Sequence, residues 1–276
     1  MSTPNVASLR DRYDEVSPKY DAGTPAQVSH RLFWLAYEHL TWSAVEKHLP
    51  PAGTQWNVLD AGGGGGKFGT LFAERGHHVT VLDLSPGMLE RAKAVFTQKG
   101  LLDRAAFIEG NVASLPFKDA TFDLVFCEGD PVSYCMEQYP KAVSELVRVA
   151  KPGQMVVMGL DNRFEHFIGT LKYGKPEQAL DVLLNGKATC PYGMPVHAFT
   201  LPELHRAVTD AGAETVEIFG KPVMFFELLE AMKAARGPSF DPWEAREEII
   251  ALQERLAHEG FAITGQHLQV MARRLK

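Results

Sequence analysis

The strand-like stretch Asn57-Val58-Leu59-Asp60-Ala61 runs without a break into five glycines, Gly62 to Gly66, and then into Lys67-Phe68-Gly69. An apolar strand that enters backbone lacking any Cβ describes a sharp turn from strand to helix, because glycine tolerates the left-handed conformations such a turn requires. Glycine gives up the most conformational freedom on folding, so five in succession imply a ligand laid against bare amides at a helix N-terminus. The pattern points to an adenosine-containing cofactor.

Two registers of this loop compete. Gly64, Gly66 and Gly69 satisfy G-x-G-x-x-G, with Asp83 downstream at a distance suited to a dinucleotide ribose, which leaves an NAD-dependent oxidoreductase open. In the second register, Asp60-x-Gly62-x-Gly64-x-Gly66, an acid ends the strand itself, and His78-Val79-Thr80-Val81-Leu82-Asp83 supplies a second strand that also ends in an acid. On these residues the chain resembles the class I S-adenosylmethionine (SAM) dependent methyltransferases. Phe107 to Val112, Thr121 to Cys127, and Leu146 to Gln154 followed by Met155 to Met158 are similar to the family's third strand, fourth strand, and helix, Pro-Gly turn and fifth strand; the resemblance covers about residues 9 to 160.

The resemblance implies an α/β fold: a Rossmann-like seven-stranded sheet with its last strand antiparallel, an N-terminal helical lead-in and a cap insertion. It places the methionine part of SAM on Asp60, Gly62, Gly63, Gly64 and Gly66, and the ribose hydroxyls on Asp83. Leu84, Met88 and Val112 would wall the base, and Asn111 stands where the family usually has an Asp. Cys127, Glu128 and Gly129 would meet the methionyl amine, while Tyr13, Tyr20 and Arg31 lie where family members close an N-terminal helix over the cofactor.

The residues themselves divide the chain in a compatible way. Residues 1–52 read as a helical lead-in that ends at Pro50-Pro51-Ala52-Gly53, residues 53–160 alternate strands and helices as in a parallel sheet, residues 161–199 break that rhythm, and residues 200–276 resume it. All belong to one domain. Ser85-Pro86 is a helix start, and Thr200-Leu201-Pro202-Glu203 is a capping box. Segment 161–199, rich in Gly, Pro, His and aromatics, reads as a cap over the cofactor cleft, with Thr215 to Phe219 and His267 to Arg273 as later strands.

A formal charge of −6 disfavours a general phosphate-backbone binder. Three cysteines without C-x-x-C spacing suggest neither a disulfide framework nor a zinc site, so no metal is expected and a cytoplasmic location fits. No apolar leader and no run approaching about 18 uncharged apolar residues is present, so no membrane span is expected.

Methyl transfer from a sulfonium requires in-line placement of the acceptor more than side-chain chemistry. Asp130, Tyr134, His166 and His197 are the candidates for a catalytic role, and Trp34, Tyr173 and Tyr192 for an acceptor pocket; each has an ordinary reading as cap, surface or packing. The expected acceptor is a small molecule. A tRNA acceptor stays open, because the Asp-Ala-Gly-Gly-Gly opening is loosely similar to the tRNA wobble-uridine carboxymethoxy methyltransferases, and so does a non-catalytic SAM-binding role.

Overall fold

The structure, a computed structural model, describes residues 6–16, 28–174, 176–190 and 193–276. Its strands are β1 (Asn57–Ala61), β2 (His78–Asp83), β3 (Ala105–Glu109), β4 (Phe122–Cys127), β5 (Ala150–Asp161), β6 (Lys187–Thr189), β7 (Pro195–His197), β8 (Ala213–Val223) and β9 (Gly265–Arg274). Seven of them form one sheet in the order β3-β2-β1-β4-β5-β9-β8. β1 to β5 pair in parallel, and β9 runs antiparallel to both β5 and β8.

Ten helices are described: α1 (Val6–Val16), α2 (Val28–Glu46), α3 (Lys67–Glu74), α4 (Pro86–Gln98), α5 (Tyr139–Val149), α6 (Arg163–Tyr173), α7 (Pro176–Asn185), α8 (Leu201–Asp210), α9 (Phe225–Arg236) and α10 (Arg246–His258). The parallel strands are apolar on both faces because both are covered. Along β4, Leu124 and Phe126 pack with Leu40 of α2, Phe72 of α3 and Phe96 of α4, whereas Val125 and Cys127 pack with Leu146 of α5 and Leu204 of α8. Among the described residues no helix is long and apolar enough to cross a membrane.

The helix starts follow their sequence signals. Ser85 Oγ accepts from Met88 N–H at 3.0 Å with Pro86 next in line, and Thr200 and Glu203 complete a reciprocal capping box. Other segments depart from the sequence reading. Residues 161–199 hold two helices and the small hairpin β6–β7. Asn162 caps α6 through Phe164 N–H at 3.1 Å, a start signal that the Gly, Pro and aromatic content of the segment had obscured. β9 lies one strand in from the edge, which β8 occupies over a longer span than Thr215 to Phe219.

Candidate active site

In an open α/β sheet the ligand crevice lies at the carboxyl ends of the strands, where the order reverses from β1 outward to β2 on one side and β4 on the other. At that point the glycine loop presses against the turn after β4: a Cβ on Gly62, whose φ is +73°, would stand 2.3 Å from Pro131 Cγ. The loop is fixed by Asp83, whose Oδ2 accepts from Gly64 N–H and whose Oδ1 accepts from Ser85 N–H, each at 2.9 Å. Burial pushes the Asp83 carboxyl up, against the pull of these amides. Each oxygen keeps a second lone pair for a ligand hydroxyl.

Asp60 is 2% exposed, and its Oδ2 has no hydrogen-bond partner. Burial first, then the charge of Asp83, pushes its carboxyl up to about 7, with Glu128 adding to the effect. Glu128, at the end of β4, likewise buries an unpartnered Oε2. Two unsatisfied carboxylate oxygens are costly to bury; Asp60 Oδ2 lies beneath the glycine loop, beside Gly63 and Gly69, and Glu128 Oε2 lies beside Gly159 of β5.

The other oxygen of Glu128 is heavily used. Its Oε1 accepts from Tyr37 Oη–H and from the ammonium of Lys221 at 2.7 Å. Lys221, fully buried on β8, also donates to Thr41 Oγ1 at 2.5 Å and to Gln269 Oε1, and stands 4.2 Å from the centre of the Tyr37 ring. Burial pulls the Lys221 ammonium below its ordinary value, and Glu128 opposes that. The carboxylate fits only because β5 carries Gly159 beside it, where a Cβ would come within 2.1 Å of Glu128 Oε1.

α1 crosses the crevice. Asp14 Oδ1 accepts from Ser85 Oγ–H and from Gly87 N–H at 2.9 Å, Arg10 pairs with Glu109 at 3.0 Å, and Tyr13 meets Tyr134 edge-on with ring centres 5.9 Å apart. One short helix thereby ties the ends of β2 and β3 to the β4 turn. Tyr134 is held deep by this contact and by the cap, and burial drives its hydroxyl far up, so it stays protonated.

On the far side of β4, Asp130 takes a left-handed φ of +67° and meets His267 Nδ1 at 3.1 Å. Burial would raise the Asp130 carboxyl, but the charge and hydrogen bond of His267 outweigh it and leave it below the usual range. Burial lowers the His267 imidazole, and Asp130 more than offsets this, raising it to about 9. His166 Nε2 pairs with Asp161 Oδ1 at 2.7 Å, and Asp161 lies opposite His267 in the β5–β9 register. Trp34 and Tyr37 line the approach, their rings 5.4 Å apart and Tyr37 5.3 Å from His267.

Several candidates stand elsewhere. Arg31 places its guanidinium 4.1 Å over the Trp243 ring, which draws its charge to the corner of α2, α9 and α10. His197 pairs with Glu203 at 2.8 Å and stacks on Tyr139 at 4.7 Å, a half-buried brace for the cap. Tyr173 is 89% exposed at the end of α6, and solvent, not the crevice, surrounds it. Asn111 turns its amide oxygen to Ala113 N–H at 2.8 Å, holding its own turn. Met88 and Val112 are buried at the α4 and β3 side, Leu84 is half-buried there, and Gly129 adopts φ +81° in the β4 turn. Burial drives the Cys127 thiol well above its ordinary value, which suits packing and not nucleophilic chemistry. Tyr20 and Tyr192 lie outside the described residues.

Asp14, Asp161, Lys221 and His267 were not singled out from sequence. Asp161 carried a usable signal, an acid at the carboxyl end of a parallel strand, and Lys221 another, a lone charge within Ile218-Phe219-Gly220-Lys221-Pro222-Val223.

Comparison with known proteins finds likeness over the central part of the chain. A family model described as "Methyltransferase domain" matches residues 58–153, the stretch that builds β1 to β4 and enters β5. Over that stretch the chain is similar to methyltransferases. It is 33% identical over 153 residues to the ubiquinone/menaquinone biosynthesis C-methyltransferase of Brucella anthropi, covering 52% of this chain and 54% of that protein. Against the malonyl-(acyl-carrier protein) O-methyltransferase of Serratia marcescens it is 31% identical, over 56% of this chain and 53% of the relative. The chain thus spans about half the length of the curated relatives it matches.

Among solved structures, this methyltransferase fold superposes on a (4+2)-cyclase with TM-score 0.65 and 20% identity, covering 100% of this chain and 98% of the other. The 1,6-didemethyltoxoflavin-N1-methyltransferase of Burkholderia thailandensis, solved with S-adenosylhomocysteine bound, gives TM-score 0.55 and 17% identity, covering 100% of this chain and 92% of that one.

Proposed function

We propose that this chain is a SAM-dependent methyltransferase that acts on a small-molecule acceptor. The observation that carries the reading is the pair of buried, unpartnered carboxylate oxygens at the ends of β1 and β4, Asp60 Oδ2 beneath the glycine loop and Glu128 Oε2 beside Gly159. Such a pair is a poor site for a pyrophosphate and a good one for a ligand that brings positive charge, which favours SAM over a nicotinamide dinucleotide.

The residues present fit SAM. Asp83 would take the ribose hydroxyls with the lone pairs its amide contacts leave free, Asp60 and Glu128 would face the cationic methionyl end, and Met88, Leu84 and Val112 would lie along the base. When bound, SAM supplies a methyl group on a sulfonium that is already a good leaving group. The chain's own work is to exclude water and to hold an acceptor in line. α1, pinned through Asp14 to the start of α4, covers one side of the crevice, while Trp34, Tyr37 and His267 form the opposite wall. Tyr134, Asp130 and His166 stand between these two, positioned to orient an acceptor.

Because one structural neighbour is described as a cyclase, the fold does not by itself decide the chemistry, and turnover has to be measured. With methyl-labelled SAM and a metabolite extract, label is expected in a small molecule detected by mass spectrometry. Label found only in tRNA, or in no product, would overturn the reading.

The state of Asp60 sets a pH dependence. Its folded-state value near 7 lies above the unfolded value of about 3.9 for Asp, so its contribution to stability is present below pH ~4 and is lost as pH rises through 7. A cationic ligand favours the ionised form, so binding of SAM should tighten as pH rises from 6 to 8. Asp60→Asn is expected to flatten this pH profile, measured by calorimetry, while raising the stability of the ligand-free protein at pH 8. A wild-type affinity that does not change with pH would remove Asp60 from the site.

A further inference from the structure

On the acceptor side of the crevice three separate stretches of chain converge. Asp130 follows β4, Asp161 ends β5 and His267 lies near the start of β9, and one ligating atom from each falls within 4.8 Å of the others. The antiparallel register sets Asp161 directly opposite His267, so the sheet itself brings two of the three together. The left-handed turn at Asp130 brings in the third, and Ser133 Oγ, accepting from Asp161 N–H at 3.0 Å, ties the β4 turn to the end of β5. The side chains of Asp130, Asp161 and His267 are only 13%, 8% and 21% exposed.

Two carboxylates and an imidazole are a donor set for a divalent first-row cation, harder than a thiolate site and less purely oxygen-lined than a calcium site. Metal–ligand distances of about 2.0–2.2 Å place neighbouring ligand atoms roughly 3.0–3.4 Å apart, and His267 Nδ1 stands 3.1 Å from Asp130 Oδ2. Asp161 is steered from outside by His166, whose Nε2 is 2.7 Å from Oδ1, the arrangement by which a histidine orients a ligating carboxylate. Two negative charges close together in a largely buried position also favour a dication over a single proton.

We propose that Asp130, Asp161 and His267 bind one divalent transition-metal cation, with His166 positioning Asp161. The cation's remaining coordination positions would face the crevice, where an oxygen acceptor could be polarised. That last role rests on the methyltransferase reading, whereas the binding of the cation does not.

The test is titration of the metal-free protein with Mn(II), followed by electron paramagnetic resonance, and with Zn(II), followed by calorimetry. One site per chain is expected, with nitrogen coupling in the Mn(II) spin-echo spectrum from His267. Asp161→Asn and His267→Gln should each weaken binding at least tenfold, and His166→Gln should weaken it by less. S-adenosylhomocysteine affinity, measured on the wild-type protein with and without the metal, should stay within about threefold, so a failed cofactor site and a failed cation site give different results. Absence of stoichiometric binding, absence of nitrogen coupling in the wild type, or unchanged binding in Asp161→Asn would each overturn the proposal. The wild-type spectrum decides the matter even where a variant does not fold.

Discussion

Lys221→Met is expected to destabilise the protein by about 3–5 kcal/mol, read as a fall in the denaturant midpoint at constant slope. The ammonium is fully buried, and it is the cation that compensates Glu128, whose side chain is 2% exposed. Removing it leaves a buried carboxylate with only the Tyr37 hydroxyl on Oε1 and nothing on Oε2. Thr41 Oγ1 and Gln269 Oε1 lose a donor as well. Because the penalty comes from the stranded charge, the double variant Lys221→Met/Glu128→Gln should recover more than half of the loss. A cost below about 1 kcal/mol for the single variant would mean that Glu128 finds water or another cation. A double variant as unstable as the single one would mean that packing, not charge, is what Lys221 supplies.

Asp83→Ala is expected to weaken S-adenosylhomocysteine binding by about 1.5–3 kcal/mol, roughly 10- to 150-fold, the scale of hydrogen bonds to a charged acceptor. Folding stability should also fall, by about 1–2 kcal/mol, because Gly64 N–H and Ser85 N–H each lose their acceptor. Relief of the cost of burying the carboxylate keeps that loss small. Asp83→Asn, which keeps one carbonyl oxygen, should lose less affinity than Asp83→Ala. An affinity within twofold of wild type for both variants would remove Asp83 from the cofactor site.

Much of this was legible in the sequence where the physics is local. The start of α4 at Ser85-Pro86 and the Thr200–Glu203 box each depend on neighbours within a few residues, and each is found as the pattern implies. The acceptor side was not legible, because its partners meet only through sheet order. His267 reads as an ordinary first residue of a strand until β9 is placed beside β5, and Lys221 reads as a surface lysine until β8 carries it under α2. Arg31 misled for the same reason: its helix was expected to lie over the cofactor, but Trp243, far along the chain, captures the guanidinium. In residues 161–199 the Gly, Pro and aromatic composition hid a helix pair whose face includes Ala179 and Val182.

The central claim, that the crevice between the glycine loop and the β4 turn takes SAM, is tested most directly by calorimetric titration of the purified chain with SAM, S-adenosylhomocysteine and NADH. Binding of both sulfur-containing nucleosides at one site per chain, in competition with one another and with no measurable heat from NADH, is the expected result. Tight binding of NADH, with no response to either SAM or S-adenosylhomocysteine, would contradict it.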